Sequence, residues 1–254
     1  MGTVRNEWFG VEPKTTIVIP VWNEADNVLE LVRRIKNAIA QRATEVLFVD
    51  DSKNDRTTKM ILLARFGYSS PNFSVSVYHR TGKQRWGGLS GAVIDGIKEA
   101  RSNQVIVMDG DLQHPPELIP KLIKAASSLD IVIASRYLKN GSARGLDGKI
   151  RHLVSRSSNW LAKTFFPIKL RKLSDPMTGY FLVNRRYLDL NRLRPKGFKI
   201  LLEIVTTHHR LSQGEVPLKF AKRIAGKSHG NLKQGKQFLS QLLNLRFRRD
   251  QQYD

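Results

Sequence analysis

Short apolar runs rich in Val and Ile alternate with stretches of helical periodicity through the first half of the chain. The apolar runs predict buried strands at residues 15–21, 45–51, 73–79, 104–110 and 130–137. Helical spacing of apolar residues predicts helices at residues 28–39, 56–66, 89–101 and 116–127, the first with Asn27 as its N-cap. Strands that alternate with helices are typical of a mostly parallel, doubly wound sheet, in which ligands bind at the carboxyl ends of the strands.

The second half follows a looser pattern. Residues 139–149 are rich in glycine and basic residues, which predicts a loop. Residues 150–168 and 231–249 combine large apolar residues with Lys and Arg, which predicts two basic amphipathic helices. Either helix by itself could equally pack against the sheet. Two such helices in one basic half favour contact with a membrane surface.

Charge is distributed unevenly along the 254 residues, whose net charge is +21. Residues 1–130 hold 17 Lys or Arg against 15 Asp or Glu, whereas residues 131–254 hold 26 against 7. This excess of positive charge indicates an anionic partner: a nucleic acid, an acidic membrane surface or a phosphorylated substrate. The absence of cysteine excludes disulfides and thiolate metal sites. No apolar run is long enough for a signal peptide or a transmembrane helix.

The predicted strand at residues 104–110 runs into the sequence DGDLQHPPE at residues 109–117. In an extended chain, alternation points Asp109 and Asp111 to the same side, and Gln113 adds a third oxygen ligand. Mg²⁺ and Mn²⁺ prefer such oxygen ligands and take the rest from water and a ligand's phosphates. The segment therefore predicts a divalent metal site that binds a nucleotide diphosphate.

Three further segments stand at strand ends in a characteristic order: PVWNE at residues 20–24, VDDSKNDRT at residues 49–57 and SDPMTGY at residues 174–180. Together with residues 109–117 they resemble glycosyltransferase family 2, and within it the polyprenyl-phosphate sugar transferases, most closely the dolichol-phosphate mannose synthases. The resemblance implies an α/β fold of the nucleotide-sugar-binding GT-A type, with a mostly parallel central sheet flanked by helices and C-terminal amphipathic helices at a membrane interface. It also implies a catalytic domain over residues 1–230 and a basic amphipathic tail over residues 231–254.

The resemblance assigns roles to individual positions. The nucleotide-sugar-binding residues are Pro20, Trp22, Glu24, Val49, Asp51, Asp109, Gly110, Asp111, Lys199, Arg223 and His229. The metal ligands for Mg²⁺ or Mn²⁺ are Asp111 and Gln113, the acceptor-phosphate residues are Arg136, Arg151 and Ser155, and the catalytic residues are Asp111, Arg136 and Arg223. Gly87, Gly88 and Gly91 match a glycine-containing segment that could equally be an ordinary loop and helix turn. Three positions depart from the family's common residues: His229 replaces Lys, Trp22 replaces Tyr and Gly110 replaces Ala.

The implied reaction is the inverting transfer of mannose from GDP-mannose to a polyprenyl or dolichyl phosphate, which yields a β-linked, lipid-linked sugar used in protein glycosylation. The acceptor phosphate carries about −1.5 to −2 charges near neutral pH and is itself a nucleophile, so a general base is not required. The main alternative keeps the fold and acceptor but uses UDP-glucose or another sugar nucleotide. Two further alternatives are a basic nucleic-acid-binding protein, which the sequence disfavours, and a non-catalytic membrane-recruitment module.

The expected partners besides the two substrates are an anionic membrane surface and a small membrane-anchoring subunit. The expected location is the cytoplasmic face of a membrane, as a peripheral protein. Nucleic acid is not an expected partner, because aromatic residues are not interleaved with the basic ones as stacking platforms.

Overall fold

The computed structural model describes residues 11–146, 149–194, 199–222 and 232–247, with the backbone alone at residues 149–151 and 232–234. The strands of this part of the chain are β1 (Thr15–Val21), β2 (Thr44–Asp50), β3 (Phe73–His79), β4 (Gln104–Val107), β5 (Ile131–Ser135), β6 (Phe181–Asn184) and β7 (Gln213–Pro217). They form one sheet in the order β3-β2-β1-β4-β6-β5-β7. All neighbouring pairs in this order are parallel except the two that include β6. The prediction of a mostly parallel sheet is therefore confirmed.

The antiparallel strand β6 brings a distant segment to the carboxyl edge of the sheet. Its first residue, Phe181, pairs with Val107 at the end of β4 and with Ile133 of β5. Because β6 runs away from this edge, the residues just before it, at positions 174–180, lie at the edge itself. The loops that follow β1, β2 and β4 end at the same edge, as parallel strands require.

The described helices cover both faces of the sheet. They are α1 (Ala25–Ile39), α2 (Arg56–Tyr68), α3 (Gly88–Glu99), α4 (Ile119–Ala125), α5 (Lys149–Phe165), α6 (Ile200–Thr207) and α7 (Leu232–Phe247). Alternate residues of β1 point to opposite faces: Ile17 and Ile19 join the core cluster of α1, whereas Val18 joins that of α3. The apolar stripe of α1 is buried as its helical spacing predicts.

Two helices differ from the predictions at their ends. Helix α1 begins at Ala25 after Glu24, and Asn27 lies inside its first turn, where its Nδ2 donates to Glu24 Oε2 over 2.6 Å. The prediction of Asn27 as N-cap is therefore wrong. The last predicted helix of the first half is shorter than expected, because residues 116–118 form a 3₁₀ turn and α4 ends at residue 125.

The two basic helices α5 and α7 each have a packed face and an exposed apolar face. Phe238 and Leu242 of α7 are buried in the core. On α5, Leu153 and Trp160 have 69% and 68% of their surface exposed. Packing against the core is therefore confirmed for one face of each helix, and contact of the exposed face with a membrane stays a prediction. No helix among the described residues is long and apolar enough to cross a membrane. The division of the chain at residue 230 stays a prediction.

Candidate active site

The loops after β1 and β2 are joined by hydrogen bonds where the nucleotide base is predicted to bind. The N–H of Asp51 donates to the Val21 carbonyl over 3.0 Å. The N–H of Asn23 donates to Ser52 Oγ over 2.9 Å, and the φ of Asn23 is positive at 58°. Beside it, Trp22 is 51% exposed. The structure thus brings Trp22 and Asp51 to neighbouring loops.

Three other residues predicted to bind the nucleotide differ in their exposure to solvent. Pro20 and Val49 are buried partners in the register of β1 and β2. The Val49 side chain faces Gly96 of α3, where an added Cβ would lie 3.0 Å from Val49 Cγ2. Only the backbone of Val49 can therefore face a ligand. Glu24 is partly exposed directly before α1.

The residues predicted to hold a metal ion lie on a turn. Strand β4 ends at Val107, and Leu112 has a positive φ of 63°. The N–H of Gln113 donates to Asp111 Oδ1 over 3.1 Å, which closes the turn. Extended alternation is therefore the wrong reason for the placement of these side chains. Asp111 and Gln113 are buried, while the Asp109 side chain is 39% exposed.

The amide of Gln113 is oriented by two loops. Its Nε2 donates to the Gly145 carbonyl over 3.1 Å and to the Ala221 carbonyl over 3.3 Å. Because the amide is planar, these two bonds direct Oε1 away from both carbonyls, so the oxygen rather than the nitrogen is presented as a ligand. With the Asp111 carboxylate this is an oxygen set that fits Mg²⁺ or Mn²⁺. The described residues contain no cluster of three or more His, Cys, Asp or Glu that could hold a metal ion.

His114 supports the turn at residues 109–113, the aspartate turn, by a hydrogen bond to its backbone. Its Nδ1 accepts a hydrogen bond of 2.9 Å from the N–H of Asp109. The ring stacks on Tyr180 at 5.0 Å between centroids and meets Phe220 edge-on at 5.5 Å. Burial lowers the pKa of His114 to about 4, and the opposing attraction of Asp111 is smaller. Sequence reasoning gave His114 no role, although its fixed place in the DGDLQHPPE segment was a signal.

Two glycines allow close approach around Asp109. A Cβ at Gly179 would lie 3.1 Å from Asp109 Oδ1 and 3.4 Å from His114 Cε1. A Cβ at Gly110 would lie 2.7 Å from Val21 Cγ1. The family's common Ala at position 110 would therefore require Val21 to move in this chain.

A buried ion pair lies next to this turn. Arg136 donates from Nε to Asp175 Oδ2 over 2.7 Å and from Nη2 to Asp175 Oδ1 over 2.9 Å. The guanidinium also lies over the rings of Tyr137 and Phe220, at 5.5 and 5.6 Å. Burial by itself would lower the pKa of Arg136, but the hydrogen bonds and charge of Asp175 raise it. Sequence reasoning missed Asp175, although it quoted the segment that contains it.

Lys199 provides a second cation at the site. It stands directly before α6, and its Nζ donates to the Met177 carbonyl over 3.1 Å. Burial, followed by repulsion from Arg136, lowers the pKa of Lys199 to about 8, while Asp175 and Asp109 oppose this shift. Lys199 therefore lies close enough to both carboxylates for their charges to affect its pKa, and its predicted role at the diphosphate stays a prediction.

The predicted acceptor-phosphate residues are partly assembled. Tyr137 Oη lies 2.8 Å from Ser155 Oγ, which links the end of β5 to α5 next to Arg136. The side chain of Arg151 lies outside the described residues, as do Arg223 and His229. Their predicted roles stay predictions.

The sheet is mostly parallel, the aspartate turn lies at its carboxyl edge, and Arg136 and Lys199 lie beside this turn. This arrangement defines a nucleotide-sugar-binding domain of the GT-A type. The sequence profile of glycosyl transferase family 2 matches residues 16–190, and the chain belongs to this family.

Three curated relatives share the name dolichol-phosphate mannosyltransferase. The chain is 39% identical to the protein of Pyrococcus furiosus over 216 residues, which cover 85% of this chain and 58% of the relative. It therefore spans less than two thirds of that relative. Identity to the protein of Mycosarcoma maydis is 31%, over 93% of this chain and 80% of the relative. Identity to the protein of Saccharomyces cerevisiae is also 31%, over 91% and 86%.

A solved structure has the same fold at low sequence identity. Glucosyl-3-phosphoglycerate synthase from Mycobacterium tuberculosis, crystallised with Mn²⁺, UDP and glucosyl-3-phosphoglycerate, matches with a TM-score of 0.65 and 17% identity. The match covers 92% of this chain and 80% of that chain.

Proposed function

We propose that this chain transfers mannose from GDP-mannose to dolichyl phosphate or another polyprenyl phosphate, with inversion at the anomeric carbon. Membership of family 2 and the shared name of three relatives support the proposal. The observation that carries it is the position of the Phe220 ring. This ring contacts His114, next to the predicted metal ligands, and Arg136, which is predicted to bind the acceptor phosphate. The donor side and the acceptor side therefore adjoin.

The donor site in this proposal is built at the ends of β1, β2 and β4. Trp22 packs against the nucleoside, and Asp51 accepts a hydrogen bond from the base. Asp109 and Lys199 contact the ribose and diphosphate, together with Arg223. Asp111 and Gln113 would hold Mg²⁺ or Mn²⁺, and the ion would supply positive charge opposite the departing diphosphate.

The acceptor side supplies orientation rather than a base. Arg136 is held by Asp175 through Nε and Nη2, while Nη1 makes no hydrogen bond among the residues that the structure describes. We assign Nη1 and Ser155 to the acceptor phosphate. One phosphate oxygen attacks the anomeric carbon as the bond from that carbon to the nucleotide diphosphate breaks on the opposite face. The electron pair leaves with the diphosphate, and an α-linked donor gives a β-linked product.

A lipid acceptor requires contact with a membrane. The exposed apolar side chains of α5, next to cations such as Arg156 and Lys163, support contact with an anionic membrane surface. Among the described helices α7 adds a second exposed set: Leu239, Leu243 and Phe247. A small membrane-anchoring subunit and the cytoplasmic face of the membrane stay predictions.

The test is a transfer assay with purified protein, a short polyprenyl phosphate and Mg²⁺ or Mn²⁺, followed by mass spectrometry of the lipid. GDP-mannose and UDP-glucose are supplied in parallel reactions. We expect a mannosylated lipid that Asp111→Asn abolishes and that Asp55→Asn, at an exposed ion pair with Lys59, leaves unchanged. Transfer from UDP-glucose alone would contradict the proposed donor. An α-linked product by NMR would contradict inversion.

A further inference from the structure

The largest fully buried side chain in the described part of the chain is Arg80, directly after β3. Its Nε donates to Asp51 Oδ1 over 2.7 Å, and its Nη2 donates to Asp51 Oδ2 over 2.6 Å. Nη2 also donates to the Gly88 carbonyl over 2.9 Å, and Nη1 donates to Asp95 Oδ2 over 3.1 Å. Arg80 thus connects the carboxylate at the end of β2 to the first turns of α3.

The glycine segment noted in the sequence provides the space for this arginine. A Cβ at Gly91 would lie 2.3 Å from the Trp86 carbonyl oxygen and 3.0 Å from Arg80 Nη1. Gly88 has a positive φ of 54° and presents its carbonyl to Arg80. The segment therefore shapes the surroundings of Arg80.

The aspartate partners of Arg80 hold its guanidinium in the charged form. Burial by itself would lower the pKa of Arg80, but the hydrogen bonds and charges of Asp51 and then Asp95 raise it. A buried charge that loses its counter-ion is costly. Since the side chain is also inaccessible to solvent, it acts on a ligand only through the residues it contacts, and Asp51 is the one predicted to bind the base.

The geometry of the ion pair limits what Asp51 can accept. A carboxylate has about four lone-pair directions. The side-on contact with Arg80 uses the two that are parallel, one on each oxygen. The remaining two directions diverge. The two oxygens together therefore cannot accept both the ring N–H and the parallel 2-amino N–H of guanine. Asp51 therefore accepts one ring N–H at one oxygen.

We propose that Arg80 is a positioning residue that makes Asp51 select bases with a single ring N–H, so that the 2-amino group of guanine adds little to this contact. The inference rests on the proposed function, in which Asp51 binds the base. Guanine, hypoxanthine and uracil carry such an N–H. Adenine presents a ring nitrogen acceptor at the equivalent position, which a carboxylate disfavours.

The test is calorimetric binding of GDP, IDP and ADP in the presence of Mn²⁺. In the wild type we expect GDP and IDP to bind within about threefold of each other, and ADP to bind about tenfold more weakly or worse. In Arg80→Met both donors to Asp51 are removed, which returns both parallel directions of its carboxylate to the ligand. We then expect GDP to bind about tenfold more tightly than IDP.

A ratio of affinities remains informative if the variant loses some stability. Arg80→Leu, which also removes both donors, should move the ratio in the same direction if Arg80→Met does not fold. Arg42→Met is the matched control, because Arg42 is partly buried and donates to Thr15 and Gln104 at the opposite edge of the sheet. Its ratio should equal that of the wild type.

Two results would overturn the inference alone: a wild type that already prefers GDP over IDP by about tenfold, or position 80 variants with the wild-type ratio. If Asp51→Asn leaves the affinity for all three diphosphates unchanged, the placement of the base in the proposed function fails, and the role of Arg80 with it.

Discussion

The N–H of Asp109 donates to Nδ1 of His114 over 2.9 Å, and this bond fixes the tautomer of a buried histidine. Because Nδ1 is the acceptor, the proton of the neutral ring is on Nε2. Burial keeps the pKa of His114 at about 4, so the ring is neutral at neutral pH. His114 therefore orients the backbone of the aspartate turn and does not exchange a proton there.

Replacement of His114 by Phe should keep the ring packing on Tyr180 and remove the acceptor for Asp109. A buried N–H without a partner costs about 1–3 kcal/mol. We expect the free energy of unfolding to fall by this amount in urea denaturation, and the affinity for GDP with Mn²⁺ to fall in calorimetry. The exposed His209 offers a control, His209→Phe, with neither effect. Wild-type stability and affinity in the His114 variant would refute the role.

Substitution of Gln113 by Glu separates charge from orientation at the metal ligand. An added carboxylate alone would favour a cation, but the substitution removes both N–H bonds to Gly145 and Ala221. Loss of such supporting bonds lowers metal affinity by about 10–100-fold. We therefore expect weaker Mn²⁺ binding by paramagnetic resonance, and faster amide exchange in residues 139–146 and 218–221.

The exposed Gln41 provides the control for this change, Gln41→Glu, which should alter neither measurement. Tighter Mn²⁺ binding in Gln113→Glu would mean that the two loops do not orient the amide.

Local periodicity was sufficient to predict most of the sheet and the buried stripe of α1, because burial on one face leaves a regular pattern in the sequence. It could not predict the direction of β6, since residues 181–184 have the same apolar character in either orientation. The order of motifs located the aspartate turn. The positions of Asp175 and Arg80 depend on contacts between residues 39 and 29 positions apart, which no local pattern records.

Affinity for the donor should fall as pH rises through the range in which Lys199 loses its proton. The pKa of Lys199 is lowered to about 8, so the side chain is charged below that pH and neutral above it. A bound diphosphate stabilises the charged form, which places the apparent midpoint at or above 8. We expect the affinity for GDP to fall about tenfold or more between pH 7 and pH 10, the effect of one charge-assisted hydrogen bond.

Lys199→Arg tests the assignment, because arginine keeps its charge throughout this range. Calorimetric titrations of this variant should show a smaller decline than the wild type above pH 8, because only the ring N–H of guanine still loses a proton in this range. A decline identical to that of the wild type would assign the titration to another group.

The exposed apolar face of α5 should govern binding to anionic vesicles. Leu153, Val154 and Trp160 are 69%, 56% and 68% exposed, and the test variant changes all three to Ser. Each such side chain contributes about 1.5–3 kcal/mol when fully buried, so flotation with phosphatidylserine vesicles should lose at least about tenfold in partitioning.

The matched control changes the exposed apolar residues of α2, Leu62, Leu63 and Phe66, to Ser. Because cations of the second half attract the anionic surface, binding of the wild type should also weaken as salt rises. If the α2 variant loses vesicle binding and the α5 variant keeps it, the membrane-facing surface is on the other side of the sheet.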